Sequence, residues 1–315
     1  MSAWVDPHMA AILAEMRSKP AVDLRAMPMA EARATFTAQQ VPWVWSPRPM
    51  AEERDLTIPV AGGAMNARLF RSDLTQRSPV IIFAHGGGWT FGNIETHCGT
   101  MRTLALQSGC AVLGVDYRLA PEHPFPTPTN DIVAALDFVR KGGLGDACDP
   151  GRVALAGDSA GANIALGALV ALRDRGEAMP ATAALFYGCY APDFDTASHK
   201  RFGAGSYVLA TAGMRWYWAN FLGATAMESA PPAAAPLRAD LSGLPPLYLN
   251  AAGLDPLLDD TTQLVARLSD AGVRHRFDLW PGVIHGFMRL ARELPAAREA
   301  IAAAAAHLKT HLVEN

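Results

Sequence analysis

The stretch VALAGDSAGANIALGALVALR, Val153 to Arg173, decides the fold. It opens with a short, continuous apolar run of the kind a strand buried on both faces shows, and ends in a longer apolar segment of helical length. Between them lies G-x-S-x-G, Gly157 to Gly161. Small residues on either side of Ser159 let the backbone reverse sharply and lift the serine clear of the sheet, at a helix N-terminus whose unpaired N–H groups favour a developing negative charge. Five residues of this pattern also arise by chance in a chain with 27 glycines, so the weight rests on the strand before and the helix after.

Outward from this unit the pattern repeats. Short apolar runs at Val80 to Ala84, Ala111 to Asp116, Val153 to Ala156, Ala183 to Tyr187 and Leu247 to Ala252 alternate with helical candidates at Met101 to Gln107, Asp131 to Arg140, Ala160 to Arg173, Met214 to Leu222 and Thr261 to Ala271. A last strand at His275 to Trp280 and an Ala-rich helix from about Pro295 complete the series, the helix carrying Ile301, Ala304, Leu308 and Leu312 on one face. Repeated β-α-β units predict an α/β fold: a mostly parallel sheet with helices on both faces and ligands at the carboxyl ends of the strands. Ahead of it, Asp55 to Val60 and Met65 to Arg71 flank Gly62-Gly63 as a hairpin. Residues 1–50, with helical spacing broken by Pro20 and Pro28, are expected to lie on top of the sheet domain as a helical cap. Residues 51–315 are expected to form the sheet domain that carries the chemistry, with a further cap contribution from about 206–225. The Ala/Pro-rich stretch Ala230 to Pro236 is expected to be a surface loop or cap connection.

Composition narrows the function classes. At 315 residues, 50% hydrophobic and 18% charged, the chain is neither disordered nor dependent on staples. A formal charge of −3 gives no overall attraction for nucleic acid or an anionic membrane, so neither is expected as a partner and a small-molecule substrate is. Cys98, Cys110, Cys148 and Cys189 are scattered and form no zinc or disulfide pattern; no metal and no cofactor is expected. The N-terminus has Asp6 and Glu15 where a secretory signal would be basic and then apolar, so a cytoplasmic location is expected.

The chemistry gathers around Ser159. His85-Gly86-Gly87-Gly88-Trp89 follows the strand Val80 to Ala84, and its glycines expose backbone N–H groups that no side chain shields, as a tetrahedral oxyanion requires. Gly87 and Gly88, with the N–H of Ala160, are the expected donors. A nucleophilic serine needs a base and the base an orienting carboxylate, which after an elbow of this kind come later in the chain as acid, then histidine. His275 lies within a strand, His307 and His311 on the terminal helix, and His199 before the last strands; His285, beyond the strand His275 to Trp280, is left as the base. Asp255, directly after the strand Leu247 to Ala252, is the acid, and Asp259 and Asp260 are read as capping residues of the next helix. His85 is assigned to bracing the glycine loop, and Asp158, Arg118 and Glu122 to a polar support network. Trp89 and Asp158 are placed provisionally in the substrate pocket, with Trp43 and Trp45 as further aromatic candidates.

HGGGW, DYRLAPEHPFP (Asp116 to Pro126), GDSAG, LPPLYLNAAGLDPLLDD and HGF, in this order, together resemble the bacterial hormone-sensitive-lipase-like (family IV) carboxylesterases over about four fifths of the chain. The resemblance implies an α/β hydrolase with an N-terminal helical cap, Ser159, Asp255 and His285 as nucleophile, acid and base, and a homodimer. Two departures stand out: Ala162 where the family continues GDSAGGN, and Leu185-Phe186-Tyr187-Gly188 where its strand ends L-I-Y-P. The expected reaction is hydrolysis of short- to medium-chain acyl esters through an acyl-enzyme intermediate. The same triad would serve an amidase, a lactonase or a specialised deacetylase. A non-catalytic ligand-binding relative would have lost a triad member, and all three positions are filled here.

Overall fold

The computed structural model describes residues 3–20 and 22–314. Among them eight strands form one sheet: β1 (Glu52–Val60), β2 (Gly63–Arg71), β3 (Ser78–Ala84), β4 (Ala111–Val115), β5 (Cys148–Asp158), β6 (Thr182–Phe186), β7 (Leu247–Leu254) and β8 (His275–Ile284), in the order β1-β2-β4-β3-β5-β6-β7-β8. The β1/β2 and β2/β4 pairs are antiparallel and the other five are parallel, so β2 alone runs against its neighbours. This is the α/β-hydrolase architecture, and it follows from the alternation of buried apolar runs and helices. β1 and β2 meet as the expected hairpin, with Val60 opposite Gly63 and Gly62 taking the positive φ of +82° that the turn requires.

Strand β3 shows how the layers are built. Val80, Ile82 and Ala84 face the helices α4 (Thr127–Arg140), α5 (Ala160–Asp174) and α8 (Leu258–Asp270), while Ile81 and Phe83 face α3 (Ile94–Ser108) and α9 (Pro295–Leu312). Alternate side chains point to opposite faces, so a strand buried on both sides must be apolar throughout. Helix α1 (Pro7–Ser18) adds Met9, Ile12 and Leu13 to the α3/α9 side, and α2 (Met29–Gln40) follows it. The shorter α6 (Ala197–Phe202) and α7 (Thr211–Leu222) come between β6 and β7. Among the described residues no helix is long and apolar enough to cross a membrane.

Several boundaries differ from the sequence expectation, each for a local reason. Helix α3 begins at Ile94, seven residues early, because Asn93 and Thr96 form a capping box: the Thr96 N–H donates to Asn93 Oδ1 and the Asn93 N–H to Thr96 Oγ1, both at 3.0 Å. The stretch Ala230 to Pro236 is not a surface loop. Ala230, Ala234 and Ala235 are buried, and a Cβ on Gly167 of α5 would stand 2.2 Å from the Ala233 carbonyl oxygen. Small side chains let this backbone lie directly on the helix. Asp259 and Asp260 lie in the first turn of α8 but do not cap it: Asp259 Oδ2 accepts from the Ser198 N–H, and Asp260 Oδ1 from the N–H groups of Tyr190 and Ala191. They tie the loops after β6 to the helix, and burial pushes the Asp260 carboxyl up to about 8.

Arg118 and Glu122 do not share one network with Asp158. Arg118 holds the fully buried Asp131 with its backbone N–H, its Nε and its Nη2, the last at 2.6 Å, while Glu122 pairs with Arg33 of α2. Truncation of Arg118 would leave the Asp131 carboxylate buried without its cation. Arg118→Ala is expected to lower the unfolding free energy by about 3 kcal/mol in urea melts, and Arg33→Ala, whose partner is half exposed, by less than about 1 kcal/mol.

Candidate active site

Ser159 sits at the turn from β5 into α5 with φ +55° and ψ −120°, a conformation that costs a non-glycine residue free energy and is fixed by its surroundings. Its N–H donates to the Phe186 carbonyl. The flanking glycines are required by closeness: a Cβ on Gly161 would stand 2.0 Å from the Ala84 carbonyl oxygen, and one on Gly157 2.5 Å from the Gly161 carbonyl. The start of α5 therefore rests on the end of β3, which brings the glycine loop that follows β3 up to the serine.

His285 Nε2 lies 2.8 Å from Ser159 Oγ, and His285 Nδ1 lies 2.7 Å from Asp255 Oδ2. Asp255 is 1% exposed, and its Oδ1 accepts the Leu257 N–H. The strand pairing explains the meeting. In the parallel β7/β8 ladder Ala252 is opposite Trp280, but Leu254 is opposite Ile284, so two extra residues of β8 are taken up between them. Asp255 and His285 then follow immediately after paired residues. The expected end of this strand at Trp280 was four residues short, and the histidine is delivered by the strand beyond the irregularity rather than by a free loop.

Gly87 and Gly88 border the same cavity as Ser159 and His285. Their φ values are +125° and +59°; a Cβ on Gly87 would stand 2.2 Å from the Phe91 carbonyl oxygen, and one on Gly88 2.3 Å from the Tyr217 ring. Among the described residues their N–H groups have no acceptor, whereas the Gly86 N–H is already donated to Asp158 Oδ1 at 2.8 Å. Ala160 is the first residue of α5, where a backbone N–H has no partner within the helix. His85 supports the loop from below: its Nδ1 is 2.9 Å from the Gly86 oxygen, its ring is stacked on Tyr117, and burial followed by the charge of His97 lowers its pKa to about 3, so it is neutral at ordinary pH.

Of the two residues placed provisionally in the pocket, Asp158 borders the cavity at 4% exposure and Trp89 does not. Trp89 is fully buried, stacked on Phe221 at 4.3 Å and donating its Nε1–H to Asn163, because the chain turns it away from the glycine loop into the α5/α7 interface. Trp43 borders a second, larger cavity. The sequence did not single out Phe36 and Gln40 of α2, Tyr217 of α7, His97 or Arg289, all of which border the cavity beside the serine. Arg289 alone carried a signal, as a cation four residues past His285. Tyr187, between the two residues that depart from L-I-Y-P, is fully buried and edge-on to the His285 ring at 5.2 Å. Among the described residues no group of three or more His, Cys, Asp or Glu side chains is arranged to hold a metal.

Asp158 anchors this floor. Burial alone would raise its pKa, but the charge and hydrogen bond of His97, 3.4 Å away, the more distant Arg289 and the Gly86 N–H together bring it down to about 2. A carboxyl depressed in the folded state adds stability that is complete above the unfolded value and lost as pH falls through the folded one. Asp158→Asn is therefore expected to cost on the order of 2 kcal/mol at pH 7 and to flatten the loss of stability between about pH 4 and pH 2, read by urea unfolding across that range.

The family described as alpha/beta hydrolase fold matches residues 81–289. Carboxylesterase NlhH of Mycobacterium tuberculosis is 37% identical over 238 residues, 74% of each chain, and an acetyl-hydrolase of Streptomyces hygroscopicus is 37% identical over 239 residues, 75% of this chain and 77% of that one. Among solved structures, an esterase of Pyrobaculum calidifontis superposes with a TM-score of 0.89 at 34% identity, covering 97% of this chain and 98% of the other.

Proposed function

The chain belongs to the α/β-hydrolase-fold carboxylic ester hydrolases, related to the hormone-sensitive-lipase family and NlhH-like bacterial esterases, and from that premise we propose that it hydrolyses short- to medium-chain acyl esters through a covalent intermediate on Ser159. The observation that carries this reading is the unbroken line from Asp255 through His285 to Ser159, at 2.7 and 2.8 Å, bordering one cavity with Gly87 and Gly88, whose N–H groups have no acceptor among the described residues.

Asp255 accepts the Nδ1–H of His285, which leaves Nε2 as the acceptor for the serine proton. Ser159 Oγ attacks the ester carbonyl as His285 takes that proton. The carbonyl oxygen becomes an oxyanion within reach of the N–H groups of Gly87, Gly88 and Ala160, whose positions are set before the charge forms. His285 then gives its proton to the departing alcohol, and water, activated by the same histidine, releases the acid. Asp255 is buried among fixed donors, so the imidazolium that forms transiently has a counter-charge that needs no rearrangement.

Two adjoining cavities divide the substrate. The one beside Ser159, Gly87 and Gly88 is about 180 Å³ and takes the acyl group; the other, about 760 Å³, begins at His285 and opens beneath α1 and α2. The N-terminal helices up to about residue 50, with the segment 206–225, act as the cap: Phe36 and Gln40 come from the first and Val208, Leu209, Met214 and Tyr217 from the second. The small volume of this cavity, with the Tyr217 ring packed against Gly88, supports the preference for short to medium chains.

Initial rates on p-nitrophenyl esters of increasing acyl length, wild type beside Ser159→Ala, test the proposal. The wild type is expected to fall steeply beyond medium acyl lengths, and the variant to lose about 10⁴-fold or more in kcat on every ester cleaved. Turnover retained by the variant would remove Ser159 as nucleophile, and an undiminished rate on long acyl chains would overturn the division of the cavities.

A further inference from the structure

We infer that Val208 is a specificity-determining residue, a barrier that restricts branching at the alcohol carbon bonded to the ester oxygen; the inference rests on the reading of Ser159 and His285 as nucleophile and base. Among the described residues four other than glycine have positive φ: Trp89, Ser159, Tyr187 and Val208. The first three are buried in the packing around the site, whereas Val208, at φ +76°, is 60% exposed and is the β-branched member of the set. The Leu209 N–H donates to the Tyr207 carbonyl at 3.0 Å, so Val208 is the middle residue of a three-residue turn in its rare, strained form. A β-branched side chain suits this backbone poorly, and glycine would relieve it. The turn is nonetheless held in place. Ala204 and Ala210 form a β-bridge, the Thr211 N–H donates to the Gly203 carbonyl at 2.9 Å, the Val208 N–H to the Gly205 carbonyl at 3.1 Å, and Arg17 Nη2 of α1 to the Ser206 carbonyl at 2.7 Å. Strain that the surroundings maintain, at a residue whose side chain is mostly free of packing, points to a use for that side chain.

Its position gives the use. Gln40, Val208, His285, Gly286 and Arg289 border both cavities. Of these, Gln40 accepts from Arg289 Nη1, His285 is the base and Gly286 has no side chain, so Val208 supplies the aliphatic group at the junction. The ester carbonyl carbon must reach Ser159 Oγ, with its oxygen toward Gly87 and Gly88, inside the smaller cavity. The alcohol oxygen must come within reach of His285 Nε2 to be protonated. The carbon bonded to that oxygen is therefore the first substrate atom to pass the junction, and a secondary alcohol places a second carbon substituent there. Valine carries two methyl groups on a stiff χ1, so it does not swing aside to admit that carbon. Branching on the acyl half meets the walls of the smaller cavity instead, Leu209, Met214 and Tyr217 among them.

The test compares n-propyl acetate with its isomer isopropyl acetate, which differ only in branching at the alcohol carbon; p-nitrophenyl butyrate and isobutyrate form the pair that differs on the acyl side. Each kcat/KM ratio is divided by the ratio for hydroxide-catalysed hydrolysis, which removes the intrinsic difference in reactivity. The wild type is expected to favour n-propyl acetate by about tenfold or more, the usual worth of one carbon in a fitted pocket. Val208→Ala and Val208→Gly should each lower that preference by about fivefold or more, by raising kcat/KM on the isopropyl ester, while the acyl-side ratio moves by less than about twofold. Val208→Thr, of the same shape, should keep the wild-type preference. Val208→Gly should melt no lower than Val208→Ala, since glycine alone relieves the turn; a lower value overturns the strain from which the inference starts. Should the variants fold poorly, the wild type decides, because a corrected n-propyl to isopropyl ratio near one overturns the inference by itself. An unchanged ratio in the alanine and glycine variants, or a change confined to the acyl pair, also overturns it while the esterase reading stands. Failure of folded wild type on all of these esters overturns both.

Discussion

The contact on which the site depends is backbone against backbone: Gly161, in the first turn of α5, lies so close to the Ala84 carbonyl at the end of β3 that a methyl group could not come between them. That contact holds the ends of two neighbouring strands in one place. β5 ends in Ser159, and β3 continues into His85 and the glycines, so the hydroxyl and the N–H donors that face it are fixed relative to each other by the sheet and not by flexible side chains. The strained backbone of Ser159 is tolerable for the same reason, since its N–H is held by Phe186 on the next strand and the helix that follows is buried along most of its length.

Around this contact polar groups are held in two sets, one around Asp158 and Gly86 and one around Asp255. Asp158 takes the Gly86 N–H and faces His97; His85 lies between Gly86 and Tyr117; Asp255 takes the Leu257 N–H and faces His285. Asp158 and Asp255 each accept from a backbone N–H whose position is set by the fold, the condition for charge stabilisation without reorganisation. Among the described residues the exceptions to this pairing include Arg289 Nε, His85 Nε2 and Asn250 Oδ1, which are buried without a partner.

The N-terminal helices are fastened in the same way. Helices α1 and α2 are neither part of the sheet nor loosely attached: Met9, Ile12 and Leu13 enter the α3/α9 core, and Arg33 reaches Glu122 and the carbonyls of Thr90 and Ala120 beyond the glycine loop. The pocket walls they contribute, Phe36 and Gln40, are therefore positioned by apolar burial and by an ion pair on the loop they cover. Phe36 stacks on Phe91, three residues past Gly88, so the roof and the glycine loop form one packed unit.

The sequence by itself determined the parallel sheet, its flanking helices and the line of Ser159, Asp255 and His285, because each is written in contiguous residues: apolar runs of strand length, a serine between small residues, an acid directly after a strand, a histidine that remains once those inside other elements are removed. It did not determine what depends on chains meeting from far apart. The two-residue irregularity that sets His285 beside Asp255 is a matter of β7/β8 register, the inward turn of Trp89 follows from the space left between α5 and α7, and the burial of Ala230 to Pro236 follows from Gly167 on another element. The setting of Arg289 is likewise a tertiary fact. A sequence shows that an arginine follows the histidine, but only the packing of α2 against it shows that Nη1 is taken by Gln40 and that Nε is buried.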